Sequence, residues 1–264
     1  MSWTRSTQIN AADHSRRNFV LRMLAATGTV LLAGCDAASR SSWLPKVLGV
    51  AEDASRGAQR LASPRRAMAQ EFTLADLSPQ FRSNGTANPD DSHYQALAAR
   101  QFVDWRLKVD GLVQHPLQLS LQELRAMPKR AQITRHDCVE GWSAIGQWTG
   151  VPLSTILRMA GARPEARYVV FHCADPMDEA GTRYYESIDF DDAFHPQTIL
   201  AYELNGRVLP IANGAPLRVR IERQLGYKMA KYIMRIELVA SLAHIGAGNG
   251  GYWEDQGYEW YAGI

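Results

Sequence analysis

Short stretches in which apolar and polar residues alternate most constrain the fold of this chain. In the stretch 105–111, Trp105, Leu107 and Val109 alternate with polar residues, which predicts a half-buried strand that ends in a turn. Similar alternation or a compact apolar run predicts strands in three later stretches, at 166–173, 216–222 and 232–242. The pattern therefore predicts a body built on mixed sheets.

Short helices are predicted between these strands. Ser120 with Glu123 forms a capping box that begins a helix over 120–128, and Gly161 ends a second helix over 151–161. Strands and helices follow one another without a regular βα order, which favours an α+β fold class over a doubly wound sheet. With 264 residues, of which 46% are hydrophobic, the chain can bury one sizeable core.

The N-terminus has the layout of an export signal. Arg16 and Arg17 precede Phe19, and an apolar run from Met23 to Ala33 follows. That run is shorter than the roughly 20 apolar residues of a bilayer-spanning helix. The Ser-Arg-Arg-x-Phe pattern resembles a twin-arginine signal. A short buried core helix with a basic flank is the alternative interpretation.

The sequence Leu-Ala-Gly-Cys ends this apolar run at Cys35 and resembles a lipobox. This resemblance implies a lipid anchor at Cys35, with Asp36 as a signal for retention at the inner membrane. The alternative is ordinary cleavage that leaves a soluble periplasmic protein. We therefore expect a signal over 1–35, a tether over 36–70 that is rich in Ala, Ser and Arg, and a folded domain over 71–264.

The predicted domain contains two cysteines, Cys138 and Cys173. In an exported chain they could form a disulfide, and neither belongs to a Cys-x-x-Cys pair or a covalent haem motif. As a nucleophile Cys138 would need a base distant in sequence, and the candidates are His172, His195 and His244. No ligand pairs have the usual zinc spacing. A buried free cysteine is the remaining alternative.

The segment HDCVEGWSAIGQWTGVPL, residues 136–153, carries the pattern Cys-Val-Glu-x-Trp. It resembles the molybdenum-binding segment of the sulfite oxidase fold. More narrowly, it is similar to the bacterial branch of exported molybdopterin-dependent oxidoreductases that includes the periplasmic methionine sulfoxide reductase catalytic subunit. The resemblance implies that the Cys138 thiolate is a catalytic residue and the molybdenum ligand, and that Glu140 orients a water or shifts the potential of the metal.

A second block, residues 195–233, contains the run Asn-Gly-Ala-Pro-x-Arg followed by Gly-x-Lys-x-x-Lys. It resembles the pterin-binding region of the same family. Cys173 matches a family position next to the cofactor that is often Thr, which implies a small polar liner. A phosphate needs Arg, Lys and main-chain N–H donors, whereas a solvated strand face is the ordinary place for such basic residues. The cofactor-binding residues implied in this block are Asn213, Arg218, Lys228, Met229, Ala230 and Lys231.

A third block, FRSNGT at 81–86, resembles the family's turn that closes over the pterin before the first strand. Arg82 and Asn84 are the cofactor-binding candidates of this turn, together with Phe81. The Gly-rich stretch 246–251 lacks the Lys-Ser/Thr of a phosphate loop and is interpreted as a flexible C-terminal turn.

The resemblance covers about residues 72–264 and implies a sulfite oxidase-type molybdopterin-binding domain, without a C-terminal immunoglobulin-like domain or a haem domain. The expected activity is oxo transfer on a small substrate by a periplasmic oxidoreductase with a molybdenum-molybdopterin cofactor. Electrons would be exchanged with a membrane or periplasmic haem protein. The net charge of +2 gives no argument for nucleic-acid binding.

The substrate remains open at this point. Sulfite oxidases carry an arginine-rich stretch after the metal-binding cysteine, and residues 141–144 read Gly-Trp-Ser-Ala instead, which favours a neutral oxide over an anion. His136 and Asp137 replace residues usual in relatives, so the segment also departs from the close pattern of the methionine sulfoxide reductases. Trp142 and Trp148 could line the pocket or belong to the core. A metal-free lipoprotein binding module is the alternative from another class, and the presence of Cys138 argues against it.

Overall fold

The computed structural model of the protein describes residues 67–264, together with residues 54, 57 and 58. The chain divides into two compact units, Met1–Ala58 and Gln59–Ile264, and the second unit contains every element named below. The predicted signal and lipobox at 1–35, and most of the predicted tether, lie outside the described residues. Among the residues that are described, no helix has the length and apolar character needed to cross a bilayer.

One five-stranded sheet has the order β2-β1-β10-β5-β6. The strands β1 and β10 are parallel, whereas the other neighbours in this sheet are antiparallel, so the sheet is mixed as the sequence predicts. Its strands are β1 (Arg106–Gly111), β2 (Leu117–Ser120), β5 (Tyr168–Pro176), β6 (Arg183–Asp189) and β10 (Ile233–Val239).

The second five-stranded sheet has the order β3-β4-β7-β8, and β9 also pairs with β7. All of its pairs are antiparallel. Its strands are β3 (Arg130–Cys138), β4 (Trp142–Pro152), β7 (Ile199–Leu204), β8 (Arg207–Val208) and β9 (Arg218–Arg220). The long hairpin of β3 and β4 carries the molybdenum-binding segment that the sequence singled out.

The helices in the described part of the chain are short, which confirms the α+β class. They are α1 (Ser92–Ala99), α2 (Leu121–Ala126), α3 (Leu153–Ala160) and α4 (Phe190–Ala193), with 3-10 turns at Leu74–Asp76, Ile211–Asn213, Gly226–Lys228 and Glu254–Gln256. The predicted capping box is present at α2, where Glu123 N donates to Ser120 Oγ over 3.1 Å and Ser120 N donates to Glu123 Oε2 over 2.7 Å. Gly161 ends α3 with φ +66°, a conformation that favours glycine.

The strand predicted over 216–222 is present as β9, but its polar face does not meet solvent. Arg218 and Arg220 are both 0% exposed, so a solvated strand face is wrong for these two residues. Both guanidinium groups lie over the ring of the fully buried Trp148, at 4.9 and 4.6 Å from its centroid. Arg220 also pairs with the buried carboxylate of Glu222 over 2.6 Å. The interior at this place is therefore charged, with Arg220 paired to a carboxylate and Arg218 bonded to main-chain carbonyl oxygens.

Residues immediately before the predicted boundary at residue 71 hydrogen-bond to the body. Ala69 N donates to Gln197 Oε1 over 2.8 Å, and the Ala67 carbonyl oxygen lies 3.1 Å from His195 Nε2. The contacts of the body therefore extend to residue 67.

Candidate active site

Cys138 is the last residue of β3 and lines a pocket of about 210 Å³. The hairpin register pairs Cys138 with Trp142 of β4, and Gly141 turns the chain between them with φ +82°. The thiol is free and half-buried. Burial raises the pKa of Cys138, the Glu140 carboxylate adds to the increase, and the positive charge of Arg218 opposes it. A soft ligand is thus presented at a hairpin tip on the pocket wall.

Glu140 lines the same pocket and connects two segments of it. The Trp142 indole Nε1 donates to Glu140 Oε2 over 3.0 Å, and Gly85 N donates to Glu140 Oε1 over 3.4 Å. The second bond brings the predicted turn 81–86 against the hairpin tip. Of that turn, Asn84, Gly85 and Thr86 line the pocket.

Lys231 holds this turn from the other side. Its Nζ donates to the carbonyl oxygens of Asn84, Thr86 and Ala212 over 2.6, 2.5 and 3.2 Å. Burial, with the nearby charge of Arg218, lowers the pKa of Lys231 to about 7. The three blocks that the sequence identified separately therefore meet at one place, and Lys231 is the side chain that joins two of them.

Arg218 is buried behind the pocket lining. Its Nη1 donates to the Asn213 carbonyl oxygen over 3.1 Å, and its Nη2 donates to the Met229 carbonyl oxygen over 3.3 Å. Burial and the neighbouring Arg220 lower the pKa of Arg218 to about 9. Met229 and Ala230, which the sequence also predicts, line the pocket. Arg218 therefore supports the main chain of two predicted cofactor-binding residues, Asn213 and Met229.

Several buried polar atoms at this place have no partner in the described part of the protein. They are Asn84 Oδ1, Asp175 Oδ1, Arg218 Nε and His136 Nε2, and Asn84 and Asp175 line the pocket. A buried polar atom without a partner costs about 1–3 kcal/mol, so native proteins rarely keep several together. A polar ligand in the pocket would satisfy the two atoms that belong to lining residues, Asn84 Oδ1 and Asp175 Oδ1. The residues present therefore fit a molybdenum-molybdopterin group ligated by Cys138.

Five of the predicted cofactor-binding residues do not line the pocket, namely Arg82, Cys173, Asn213, Arg218 and Lys228. Arg82 is exposed and its carbonyl oxygen accepts from Asn213 Nδ2 over 3.5 Å. Cys173 is a buried free thiol on β5, so no disulfide joins it to Cys138. Lys228 is 0% exposed and its ammonium donates to the carboxylates of Glu186 and Glu254, a structural pairing that the spacing of the lysines does not indicate.

His136 packs behind Met229 and is fully buried. Arg220 Nη1 lies 2.9 Å from His136 Nδ1, so Nδ1 accepts and Nε2 carries the proton. Burial and the positive charge of Arg220 lower the pKa of His136 well below its ordinary value. Gly226 makes this packing possible, because a Cβ there would lie 2.5 Å from the His136 ring. The residue is therefore a neutral packing element and not an acid or base of the pocket.

The three histidines proposed as bases for a Cys138 nucleophile do not line its pocket. His172 Nε2 pairs with Glu237 Oε2 over 2.8 Å, and His195 contacts Ala67. His244 lines a separate groove. Across residues 67–264 no group of three or more His, Cys, Asp or Glu side chains could hold a metal by itself. The arrangement fits a single protein ligand to a metal that is carried by a cofactor.

The sequence did not identify several residues of the pocket. Asp175 is 4% exposed, and burial raises the pKa of its carboxyl to about 6. Its position two residues after Cys173 on the same strand is the signal that could have found it. The aromatic residues Tyr227, Trp253 and Tyr258 also line the pocket, and the aromatic-rich run at 252–261 is their signal.

Comparison with known proteins agrees with this geometry. The family described as oxidoreductase molybdopterin binding domain matches residues 94–244. YedZ1 of Azospira oryzae, named as a candidate protein-methionine-sulfoxide reductase subunit, is 39% identical over 94% of this chain and 88% of its own length. MsrP of Xanthomonas axonopodis pv. citri, named as a protein-methionine-sulfoxide reductase catalytic subunit, is 35% identical over 86% of this chain and 70% of its own length.

A third relative, MsrP of Xanthomonas campestris pv. campestris, is also named as a protein-methionine-sulfoxide reductase catalytic subunit and is 34% identical over 90% of this chain and 75% of its own length. Among solved structures, sulfane dehydrogenase SoxCD from Paracoccus pantotrophus aligns over 53% of this chain and 39% of that chain, with 23% identity and a TM-score of 0.47. The chain therefore belongs to the oxidoreductase molybdopterin-binding family, and it is an oxidoreductase whose cofactor is molybdenum-molybdopterin.

Proposed function

We propose that this protein is the catalytic subunit of a periplasmic methionine sulfoxide reductase that receives electrons from a haem protein. The names of the relatives support the substrate, because three of them are named as protein-methionine-sulfoxide reductase subunits, one of these as a candidate. In the reaction a sulfoxide takes up two electrons and two protons, its S–O bond breaks, and a thioether and water are released.

The charge of the pocket lining is the observation that carries this proposal. The charged side chains among the described lining residues are Glu140, Asp175 and Lys231. The one ammonium is already bound to three carbonyl oxygens. An anion such as sulfite would meet two carboxyl groups and no free guanidinium, which opposes its binding. A neutral, dipolar sulfoxide meets no such opposition.

In the proposed reaction the cofactor and the pocket residues have separate roles. When bound, the molybdenum cofactor supplies two-electron transfer of an oxygen atom. The Cys138 thiolate would hold the metal, and Lys231 would hold the turn at Asn84 against the pterin. Asp175 has a pKa raised to about 6, so its carboxyl can carry and deliver a proton close to neutral pH. Glu140 is positioned by Trp142 and Gly85 to orient water beside the thiolate.

The sequence alone supports the location and the electron partner. The twin-arginine pattern at residues 16–17 favours export of a folded, cofactor-loaded chain, and the lipobox-like end at Cys35 favours a tether to the inner membrane. A reductase in the periplasm needs an external source of single electrons, and a membrane or periplasmic haem protein is the natural donor.

The test is elemental analysis and turnover of protein produced in a host that makes molybdopterin. We expect about one molybdenum per chain, as one thiolate site implies, and reduction of methionine sulfoxide with reduced viologen as donor. Cys138→Ser should lose the metal or hold it weakly and lose turnover. Its matched control is Cys173→Ser, which changes the thiol that does not line the pocket.

Two outcomes would overturn the proposal. A folded wild type without molybdenum would leave a binding module or thiol chemistry as the explanation of Cys138. A molybdenum-loaded wild type that oxidises sulfite with an added acceptor, and does not reduce methionine sulfoxide, would identify a sulfite oxidase-like dehydrogenase.

A further inference from the structure

Three aromatic side chains from two segments line the pocket that contains Cys138. Tyr227 belongs to the 3-10 turn Gly226–Lys228, whereas Trp253 and Tyr258 flank the 3-10 turn Glu254–Gln256. Trp253 and Tyr258 stack with centroids 5.3 Å apart and planes at 30°, and Tyr227 meets Tyr258 edge to face at 5.3 Å. We name Tyr227, Trp253 and Tyr258 the aromatic wall.

The aromatic wall runs from the interior to the solvent. Tyr227 is 8% exposed, Trp253 is half-buried, and Tyr258 is 42% exposed. Large aromatic side chains that stay open to solvent beside a pocket commonly serve binding, because they bury apolar area only when a ligand arrives. The exposed end of the wall therefore lies at the entrance of the pocket.

Buried bonds fix the wall in place. Lys228 follows Tyr227 in the chain, and its ammonium joins it to the carboxylate of Glu254, the residue after Trp253. Gly257 reverses the chain with φ +97°, and Tyr258 N donates to the Trp253 carbonyl oxygen over 3.0 Å. Tyr227 Oη donates to the Glu259 carbonyl oxygen over 2.5 Å. These bonds use main-chain atoms, buried charges and the Tyr227 hydroxyl, and none of them uses the side chain of Trp253 or Tyr258.

The charges of the pocket lie elsewhere in its lining. The aromatic wall has no charged side chain. The charged residues of the lining are Glu140 on the Cys138 hairpin, Asp175 on β5, and Lys231, which binds the turn at Asn84. The pocket thus has an apolar aromatic part and a polar part beside the metal ligand. This division matches a molecule with a polar oxygen at one end of an otherwise apolar group.

We propose that the aromatic wall binds the methyl and methylene groups and the sulfur of a methionine sulfoxide side chain, and so selects methionyl sulfoxides over smaller sulfoxides. This inference rests on the proposed function. Polarizable sulfur and the methyl group next to it pack favourably against aromatic rings. The sulfoxide oxygen is directed to the polar part of the pocket, and the exposed end at Tyr258 accommodates the peptide that carries the residue. The wall acts through binding and takes no part in breaking the S–O bond.

The test compares two substrates on the molybdenum-loaded enzyme. The variants are Trp253→Ala and Tyr258→Ala, and the substrates are a methionine sulfoxide blocked at both ends and dimethyl sulfoxide. We expect KM for the methionine derivative to rise about tenfold, which corresponds to about 1.4 kcal/mol of binding free energy, with kcat retained. KM for dimethyl sulfoxide should rise clearly less, because this substrate has the sulfur and methyl groups but no side-chain methylenes. Tyr258→Phe, which keeps the ring, should regain most of the loss.

Met159→Ala is the matched control. Met159 on α3 is 42% exposed, as Tyr258 is, and it does not line the pocket. Its removal should leave both KM values as in the wild type. Unchanged KM values in Trp253→Ala and Tyr258→Ala, or an equal rise for both substrates, would overturn the inference. If Trp253→Ala does not retain molybdenum, Trp253→Leu and Tyr258→Ala provide the same comparison.

The failures of the two proposals are distinguishable. A loaded wild type that does not reduce methionine sulfoxide defeats the proposed function. A wild type that does reduce it, together with wall variants of unchanged selectivity, defeats the aromatic wall alone.

Discussion

Lys231 donates a hydrogen bond of 2.6 Å to the main-chain oxygen of Asn84, and this bond joins segments that lie far apart in the chain. The same ammonium binds the Thr86 carbonyl oxygen over 2.5 Å, so the turn at the pocket is held at two points. The Asn84 side-chain oxygen, by contrast, is buried without a partner in the described residues. The turn is thus fixed by its main chain and keeps its side chain for a ligand.

Lys231→Met should reduce the molybdenum content more than it reduces stability. The change removes a positive charge from the pocket and releases the turn at Asn84, while the methionine fills most of the buried volume. We expect molybdenum per chain to fall several-fold, measured by elemental analysis after desalting. The control is Lys129→Met, since Lys129 is exposed and does not line the pocket. Full molybdenum occupancy in Lys231→Met would contradict a cofactor-binding role.

Lys228→Met should reduce stability more than it reduces the molybdenum content. Lys228 is buried between Glu186 and Glu254, and removal of one partner from a buried ion pair costs about 3–5 kcal/mol because uncompensated charge remains. We expect the free energy of unfolding, measured by urea denaturation, to fall by that amount. Molybdenum per folded chain should stay close to the wild-type value. A loss of metal without a loss of stability would instead support the direct cofactor contact that the sequence suggested.

Gly226→Ala should destabilise the protein through His136. The new Cβ would lie 2.5 Å from a ring that is itself buried, and overpacking of this kind costs about 1–3 kcal/mol. Because the two sites touch, their effects should not add: the cost of Gly226→Ala should be smaller when His136→Ala is present. A double-mutant cycle of urea denaturation measures this coupling, and strictly additive effects would argue against the contact.

Stability should fall in mildly acidic solution because of His195. Burial, with the charge of Arg223, lowers the pKa of His195 to about 4 from an ordinary 6.5. Between these two values the unfolded chain binds a proton that the folded chain does not. The stability that neutral His195 contributes is therefore complete above pH 6.5 and declines as the pH falls towards 4. One such proton lowers stability by at most about 1.4 kcal/mol per pH unit.

Urea denaturation at pH 7 and pH 5 measures this effect, with His195→Gln as the comparison. The difference in stability between the two pH values should be smaller in the variant than in the wild type. An equal difference in both proteins would assign the acid sensitivity to other groups.

Much of the fold could be predicted because its signals are local. The alternation at Leu107 and Val109 indicates β1, and both residues are fully buried. The capping box at Ser120 and the stop at Gly161 likewise depend on a few neighbouring residues. The alternation around Arg218 did not indicate that this strand face is buried. The side chain that covers it, Trp148, comes from elsewhere in the chain.

The part of the site that lies on one short segment could be predicted from the sequence. Cys138 and Glu140 lie together on one hairpin tip and both line the pocket. Lys228 and Lys231 look equivalent in the sequence. In the structure Lys228, at the end of the 3-10 turn Gly226–Lys228, forms buried ion pairs, whereas Lys231 binds the main chain at Asn84. Asp175 reaches the pocket through the pairing of β5 in the other sheet, a relationship between distant residues that spacing does not encode.

The parallel pairing of β1 with β10 has a consequence for how the protein is made. Lys108 to Gly111 of β1 pair with Arg235 to Leu238 of β10. The early strand β1 therefore lacks this partner until most of the chain has left the ribosome. The sheet cannot close during synthesis of the earlier segments, and such long-range pairing is slow compared with local structure. A nascent chain stalled before residue 233 would therefore lack the central strand of this sheet. This sheet can therefore be completed only after Ile233–Val239 has been synthesised.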